Sequence, residues 1–155
     1  MSSLAAPELR AALQGWASRN TLWEPLVRHD PGERTYALVH RDESVELYLV
    51  CWMEGQDTGF HDHDESAAAI AVLRGAVVEE RLSVGSAVAA ELGAGDSVSI
   101  AREAIHRVRH AGGEPAVTLH AYSPPLQRVG TYEVSAEGTL LRHPRPSETP
   151  LEAAA

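Results

Sequence analysis

Cysteine is almost absent from this chain: Cys51 is the single one among 155 residues. That excludes an intramolecular disulfide framework and suits a reducing compartment. Basic residues are scarce, with 13 Lys and Arg against 22 Asp and Glu, a formal net charge of −9. Nucleic-acid binders draw affinity from cationic contacts to phosphate, and anionic membrane surfaces attract polybasic segments. Neither partner is expected here. No apolar run approaches the ~18 residues that a membrane-spanning helix needs. The opening stretch, Met1-Ser2-Ser3-Leu4-Ala5-Ala6-Pro7, lacks a basic segment followed by an apolar core. These absences lead to the expectation of a soluble, acidic, cytoplasmic, single-domain protein; a monomer or weak homo-oligomer is the expected state, although no residue pattern fixes it. The bulk composition, 44% hydrophobic and 23% charged, is ordinary for one globular domain. Eight histidines are the compositional oddity.

Helical spacing of Leu9, Ala12, Leu13 and Trp16 predicts a helix over Pro7–Arg19, with Pro7 in its first turn. Another short helical turn fits between Asn20 and Glu33. From Thr35 the pattern changes to short β runs. Val45, Leu47, Leu49, Cys51 and Met53 alternate with Glu46, Tyr48, Val50 and Trp52. Further runs cover Ala68–Arg74, Ala76–Leu82, Ala87–Leu92, Ser97–Ala101, Ile105–Arg109, Ala116–Tyr122 and Val129–Val134, punctuated by glycines. Many short strands with regular turns predict an all-β sandwich or barrel behind short N-terminal helices. The expected organisation is one domain over 1–142. The Pro- and Ala-rich stretch 143–155 is expected to be a flexible tail.

His61-Asp62-His63 is the sharpest local feature. In a strand, residues i and i+2 share a face, so both imidazoles reach one metal ion. Two exposed turn histidines beside acidic residues are the bland alternative. Gly55 lies six residues before His61, Gly75 twelve after His63, and Gly95 eleven before His106. This arrangement resembles the two-part signature of the cupin superfamily, double-sheet jelly rolls whose motifs bring three histidines together. Where that signature carries a glutamate, this chain has Ala68. Three neutral imidazoles are thus expected, with Asp64 and Glu65 the nearest substitute carboxylates. Such a donor set also suits zinc, copper or nickel.

A second feature is Thr118-Leu119-His120-Ala121-Tyr122-Ser123-Pro124-Pro125, with Thr118, His120 and Tyr122 on one strand face. A solvent-facing row would explain each singly. Together they suggest a hydrogen-bonded relay. With His106-Arg107-Val108, and with Cys51-Trp52-Met53-Glu54-Gly55 ahead of Phe60-His61-Asp62-His63, this stretch resembles the cysteine dioxygenase-type thiol dioxygenases. The likeness runs from about Tyr36 to Tyr132. It implies a mononuclear Fe(II) centre held by His61, His63 and His106. It also implies a Thr118–His120–Tyr122 relay whose tyrosine points toward substrate and oxygen. The implied reaction adds both atoms of O2 to a thiol sulfur, giving a sulfinate.

Two departures from the family bear on the substrate. The cysteine that crosslinks to the tyrosine in mammalian-type members is matched by Ala68, so no Cys–Tyr thioether is expected. The arginine that grips the substrate carboxylate, two residues after the tyrosine matched by Tyr36, is matched by Leu38. Arg41 is the nearest replacement, with the wrong strand parity unless the backbone shifts. Arg34, Arg74 and Arg128 are further candidates. Tyr36, Leu38, Arg41, Trp52 and Ala68 are therefore the expected substrate-binding set. Cysteine-like thiols, 3-mercaptopropionate and ergothioneine all stay open, but Leu38 in place of the arginine leads to the expectation that L-cysteine is a poor substrate. A thiol with more apolar or cationic surface is expected to be a better one, since Tyr36, Trp52 and Phe60 offer aromatic surface to a quaternary ammonium. Two other classes also stay open: a zinc or manganese cupin isomerase or hydrolase, and a ligand-binding cupin without catalysis.

Overall fold

Alternating side chains can bury both faces of a strand when one faces a second sheet and the other a helix. The computed structural model, which describes residues 3–83 and 86–146, is built this way. Helix α1 (Ala6–Ala17) is followed by the short α2 (Asn20–Trp23) and a 3-10 turn at Glu24–Leu26. Eleven strands follow among the described residues: β1 (Thr35–Arg41), β2 (Glu46–Trp52), β3 (His61–Asp62), β4 (Ala67–Arg74), β5 (Ala76–Ser83), β6 (Ser86–Gly93), β7 (Ser97–Ile100), β8 (His106–His110), β9 (Ala116–Ser123), β10 (Arg128–Val134) and β11 (Leu140–Pro146). They form two antiparallel sheets, ordered β1-β2-β9-β4-β7 and β11-β10-β3-β8-β5-β6. This is the double-sheet jelly roll that the resemblance implies. No helix of the described residues is long and apolar enough to cross a membrane.

The apolar residues divide into two layers. Leu47, Leu49 and Cys51 of β2, with Val117, Leu119 and Ala121 of β9, lie under Leu9 and Leu13 of α1. Tyr48, Val50 and Trp52 face the other way, toward Val77, Val108 and Val129 of the second sheet. Cys51 is thus a buried free thiol on the helix side, away from the sheet-to-sheet interior. Across the five-stranded sheet, register sets the interior residues in transverse rows. Arg41, Glu46, Tyr122, Ala68 and Ile100 form one row; Leu38, Tyr48, His120, Ile70 and Val98 form the next.

The C-terminal expectation needs correction. His143–Pro146 are not a loose tail but the second half of β11, with Thr131 opposite His143 and Gly130 opposite Pro144. The prolines fit because β11 is an edge strand, where a missing N–H interrupts no ladder. Residues 147–155 lie outside the described residues.

Candidate metal centre

His61 and His106 stand directly opposite each other across β3 and β8, and His63 follows one residue past the end of β3. The three ring centroids are 4.6–5.0 Å apart, and one ligand atom from each lies within 4.8 Å of the others. Among the described residues these three alone form such a cluster. Asp64 is engaged elsewhere, accepting from Arg142 Nη2 at 3.2 Å.

The rings are prepared for a cation. Burial lowers the His61 pKa to about 4 and holds His63 and His106 well below their ordinary value, so all three are neutral at pH 7. His61 Nδ1–H donates to Gly59 O at 2.9 Å, and His106 Nδ1–H donates to Glu79 Oε2 at 2.8 Å. Both bonds leave an Nε2 lone pair facing inward. His106 Nε2 lies 3.4 Å from His63 Nε2. Two neutral ring nitrogens facing each other in a buried site are the donor set that a divalent metal satisfies. The residues therefore fit a mononuclear centre.

Glu79 was not legible as part of the site. It sits on β5 opposite Val108, 4% exposed, with Oε1 accepting from Arg81 Nε at 2.9 Å. Burial raises its pKa, while Arg81 opposes that shift. Glu79→Ala is expected to weaken metal affinity by about 10–100-fold, the usual cost of losing a ligand's outer hydrogen bond. Chelator competition measures this, and unchanged affinity would show that the carboxylate does not orient His106.

Facing the cluster are Thr118, His120 and Tyr122 of β9, all buried in the interior rather than on a wet surface. Trp52 Nε1–H donates to Thr118 Oγ1 at 2.8 Å, and Thr118 Oγ1 lies 2.8 Å from His120 Nε2. With Thr118 donating to that nitrogen, the ring proton of neutral His120 sits on Nδ1. Burial, then the charges of His61 and Arg34, bring the His120 pKa down to about 3. Tyr122 has its ring centroid 5.2 Å from that of His63. Among the described residues its hydroxyl has no hydrogen bond, to His120 or otherwise, so the row is joined at Thr118–His120 and open at Tyr122. Burial and Glu46 raise the phenol pKa well above its ordinary value.

The expected substrate-binding residues separate. Ala68 lies opposite Tyr122 across β4 and β9, and its methyl offers the ring no sulfur. Trp52 is fully buried. Arg34 covers its ring at 5.5 Å, and His120 stacks on it at 6.3 Å. Phe60 is likewise covered, by Arg107 at 5.5 Å. Leu38 points to the interior side but lies on the edge strand β1 and is 47% exposed. An apolar side chain there cannot stand for the missing cation. A register shift between Leu38 and His40 restores Arg41 to the interior face, where its Nε donates to the buried carboxylate of Glu46 at 2.5 Å. Arg34, 9% exposed, donates to Asp57 O, and its charge acts on His61, His120 and Tyr122, as that of Arg81 acts on His106. Together with Tyr36, Gln56 and Asp57, Arg34 also lines a surface cleft of about 490 Å³.

The other four histidines serve elsewhere. His29 and His110 bond backbone carbonyls, of Ala116 and Glu114, while His40 and His143 pair with Asp42 and Glu133. Fold and site together define a metal-binding cupin. The chain belongs to the cysteine dioxygenase type I family, which matches residues 2–135. It is 28% identical over 138 residues to human cysteine dioxygenase type 1, covering 81% of this chain and 68% of that protein. The zebrafish enzyme of the same name (Danio rerio) is 27% identical over 145 residues, 84% and 71% covered. Among solved structures, the TT1209 protein of Thermus thermophilus aligns with a TM-score of 0.59 at 26% identity, over 65% of this chain and 92% of that one. A Klebsiella pneumoniae protein with a double-stranded β-helix domain aligns with a TM-score of 0.58 at 21% identity, over 65% and 80%, and shows the fold alone.

Proposed function

We propose that this protein is a thiol dioxygenase that binds Fe(II) through His61, His63 and His106 and converts a small carboxylate-bearing thiol to its sulfinate. The observation that carries the reading is the meeting of three neutral, buried imidazoles with the Thr118–His120–Tyr122 face and a buried arginine, in a chain of this family. The balance is R–S⁻ + O2 → R–SO2⁻, with no external reductant. Iron, when bound, lowers the thiol pKa and supplies the redox chemistry with O2.

The protein's own groups bind and orient. Neutral imidazoles leave the site cationic, which favours a thiolate. Arg34 receives the substrate carboxylate, as a guanidinium does well. Tyr122, kept protonated, presents a hydroxyl donor toward the reacting sulfur and oxygen, in an interior from which the packed sheets exclude water. The cleft at Arg34 and Tyr36 is the approach route.

This narrows the thiol. A betaine such as ergothioneine needs a free aromatic face or an anion. Trp52 and Phe60 already hold arginines over their rings. All three thiols present the carboxylate that Arg34 suits, but cysteine and 3-mercaptopropionate do so without a trimethylammonium group to be seated beside these guanidinium groups. A reducing cytoplasm fits the single buried thiol, Cys51.

Oxygen-electrode assays of the Fe(II)-loaded protein test the reading. Cysteine or 3-mercaptopropionate should consume O2 with stoichiometric sulfinate, and ergothioneine should be slower. Binding of metal without O2 uptake on any thiol would refute it, in favour of a hydrolytic or isomerising cupin. Arg34→Gln should lower kcat/KM for the carboxylate thiols roughly 10–100-fold, the worth of one charge-assisted contact of about 1.5–3 kcal/mol. Turnover of cysteamine, which has no carboxylate, should not fall with it. An equal loss on both would mean that Arg34 only packs.

A further inference from the structure

Arg142 lies on β11, beyond the family match that ends at residue 135. Its guanidinium reaches back to the His61-Asp62-His63 segment. Nε donates to Asp62 Oδ2 at 2.8 Å, and Nη2 donates to Asp62 Oδ1 at 3.0 Å and Asp64 Oδ1 at 3.2 Å. The two aspartates flank His63 on either side. Tyr132 O–H also donates to Asp62 Oδ2, and the backbone N–H groups of Gly130 and Asp64 donate to Oδ1 at 3.1 and 3.0 Å. Gly130 leaves the room for this: a Cβ there would overlap Arg142 Nε and come within 2.7 Å of Asp62 Oδ2.

His63 is the ligand that most needs outside support. The outer nitrogens of His61 and His106 are hydrogen-bonded, to Gly59 O and Glu79. His63 Nδ1 is buried with no partner. Backbone pairing does not compensate. β3 has only two residues, pairs with β10 at both and with β8 at His61–His106 alone, and ends before His63, whose carbonyl accepts from Ser66 N in the following turn, at 3.0 Å. Asp64 then turns the chain in the left-handed region, at φ 55°. A two-residue strand is a weak frame for a ring that must be aimed to a fraction of an ångström.

We propose that Arg142 is a positioning residue of the metal centre. By clamping Asp62 and Asp64 it fixes the backbone on both sides of His63 and aims that ring, the part played for His61 and His106 by a hydrogen bond on the ring itself. Because the clamp comes from beyond residue 135, it belongs to this chain's C-terminal hairpin and not to the family match. The inference rests on the three-histidine metal centre and not on the thiol or oxygen chemistry.

The test uses the full chain as Arg142→Gln and Arg142→Lys, with Co(II) and Fe(II) as probes. Metal affinity is read by chelator competition, and the fold of the metal-free protein by far-UV circular dichroism and thermal unfolding. Arg142→Gln should lose roughly 10–100-fold in affinity, the range for groups that orient a ligand, while the metal-free fold persists. Arg142→Lys should lose less, since it keeps the charge but not the two-pronged grip. The cobalt spectrum should change in both. Wild-type affinity in Arg142→Gln would overturn the proposal. So would unfolding of both metal-free variants, which would make the contact structural only. If Arg142→Gln alone fails to fold, Arg142→Lys decides: weakened affinity supports the proposal and wild-type affinity overturns it. Thiol turnover separates this from the function proposed above. A protein that binds cobalt but oxygenates no thiol refutes that reading and leaves the clamp standing.

Discussion

Replacing His106 with alanine should leave a folded protein that no longer holds metal and turns over no thiol. Two imidazoles remain, and neither is replaceable from nearby. His110 lies on the same interior face of β8, yet its Nε2 bonds Glu114 O at 2.8 Å and its Nδ1 accepts from Gly112 N at 3.1 Å. Both nitrogens are used, so His110 cannot step in as third ligand. The substitution also strips Glu79 of its buried partner, leaving that carboxylate to Arg81 alone. A lost buried hydrogen-bond partner costs about 1–3 kcal/mol, which a domain of this size survives. Affinity should fall by more than the ~100-fold typical of an outer contact, because a ligand itself is gone. Metal analysis after Fe(II) loading and desalting measures it. Full occupancy would remove His106 from the centre.

The reason His106 and not His110 is the ligand shows what a sequence carries and what it does not. Alternation places both on one face of one strand, so local pattern cannot choose between them. The choice comes from register: His61 pairs with His106, while His110 lies opposite Val77 of β5. The strands were legible because period-2 runs broken by glycine are local signals, and β4, β9 and β10 fall within a residue of their expected limits. Alternation alone gives Arg41 the opposite parity to Leu38; the bulge between Leu38 and His40 supplies the backbone shift that brings it to the same face, and nothing in Val39 announces it. Leu38 is 47% exposed for a different reason. It lies at the sheet edge, and edge position is a property of topology. Glu79 and Arg81 look like the solvated side of a strand until β8 is laid against them. The prolines of β11 read as a tail because their tolerance depends on being at an edge. In each case the missing information was non-local pairing.

Tyr122→Phe should keep the metal and lose most of the turnover. The ring is 1% exposed and packs against His63 and, edge-on at 6.5 Å, against Tyr48. Phenylalanine keeps both contacts, so metal affinity and thermal stability should hold. What disappears is one hydroxyl that spends its hydrogen bond on no described residue and is therefore available to the reacting atoms. Burial and the Glu46 carboxylate raise its pKa, so the phenol remains a donor through the whole neutral range and imposes no pH dependence of its own. A preorganised donor aimed at developing charge is worth roughly 10²–10³ in kcat. The loss should appear in kcat and kcat/KM together, the mark of an interaction made chiefly in the transition state. His120→Asn should act in the same direction but more weakly. His120 is tied to Thr118 and not to the Tyr122 hydroxyl, so it influences that hydroxyl only through the packing of the shared strand face. Steady-state kinetics on the better carboxylate thiol, with metal content measured in the same samples, separates the outcomes. An unchanged kcat in Tyr122→Phe would make the tyrosine a packing residue and leave oxygen and sulfur to be oriented by the metal ligands and Arg34 alone.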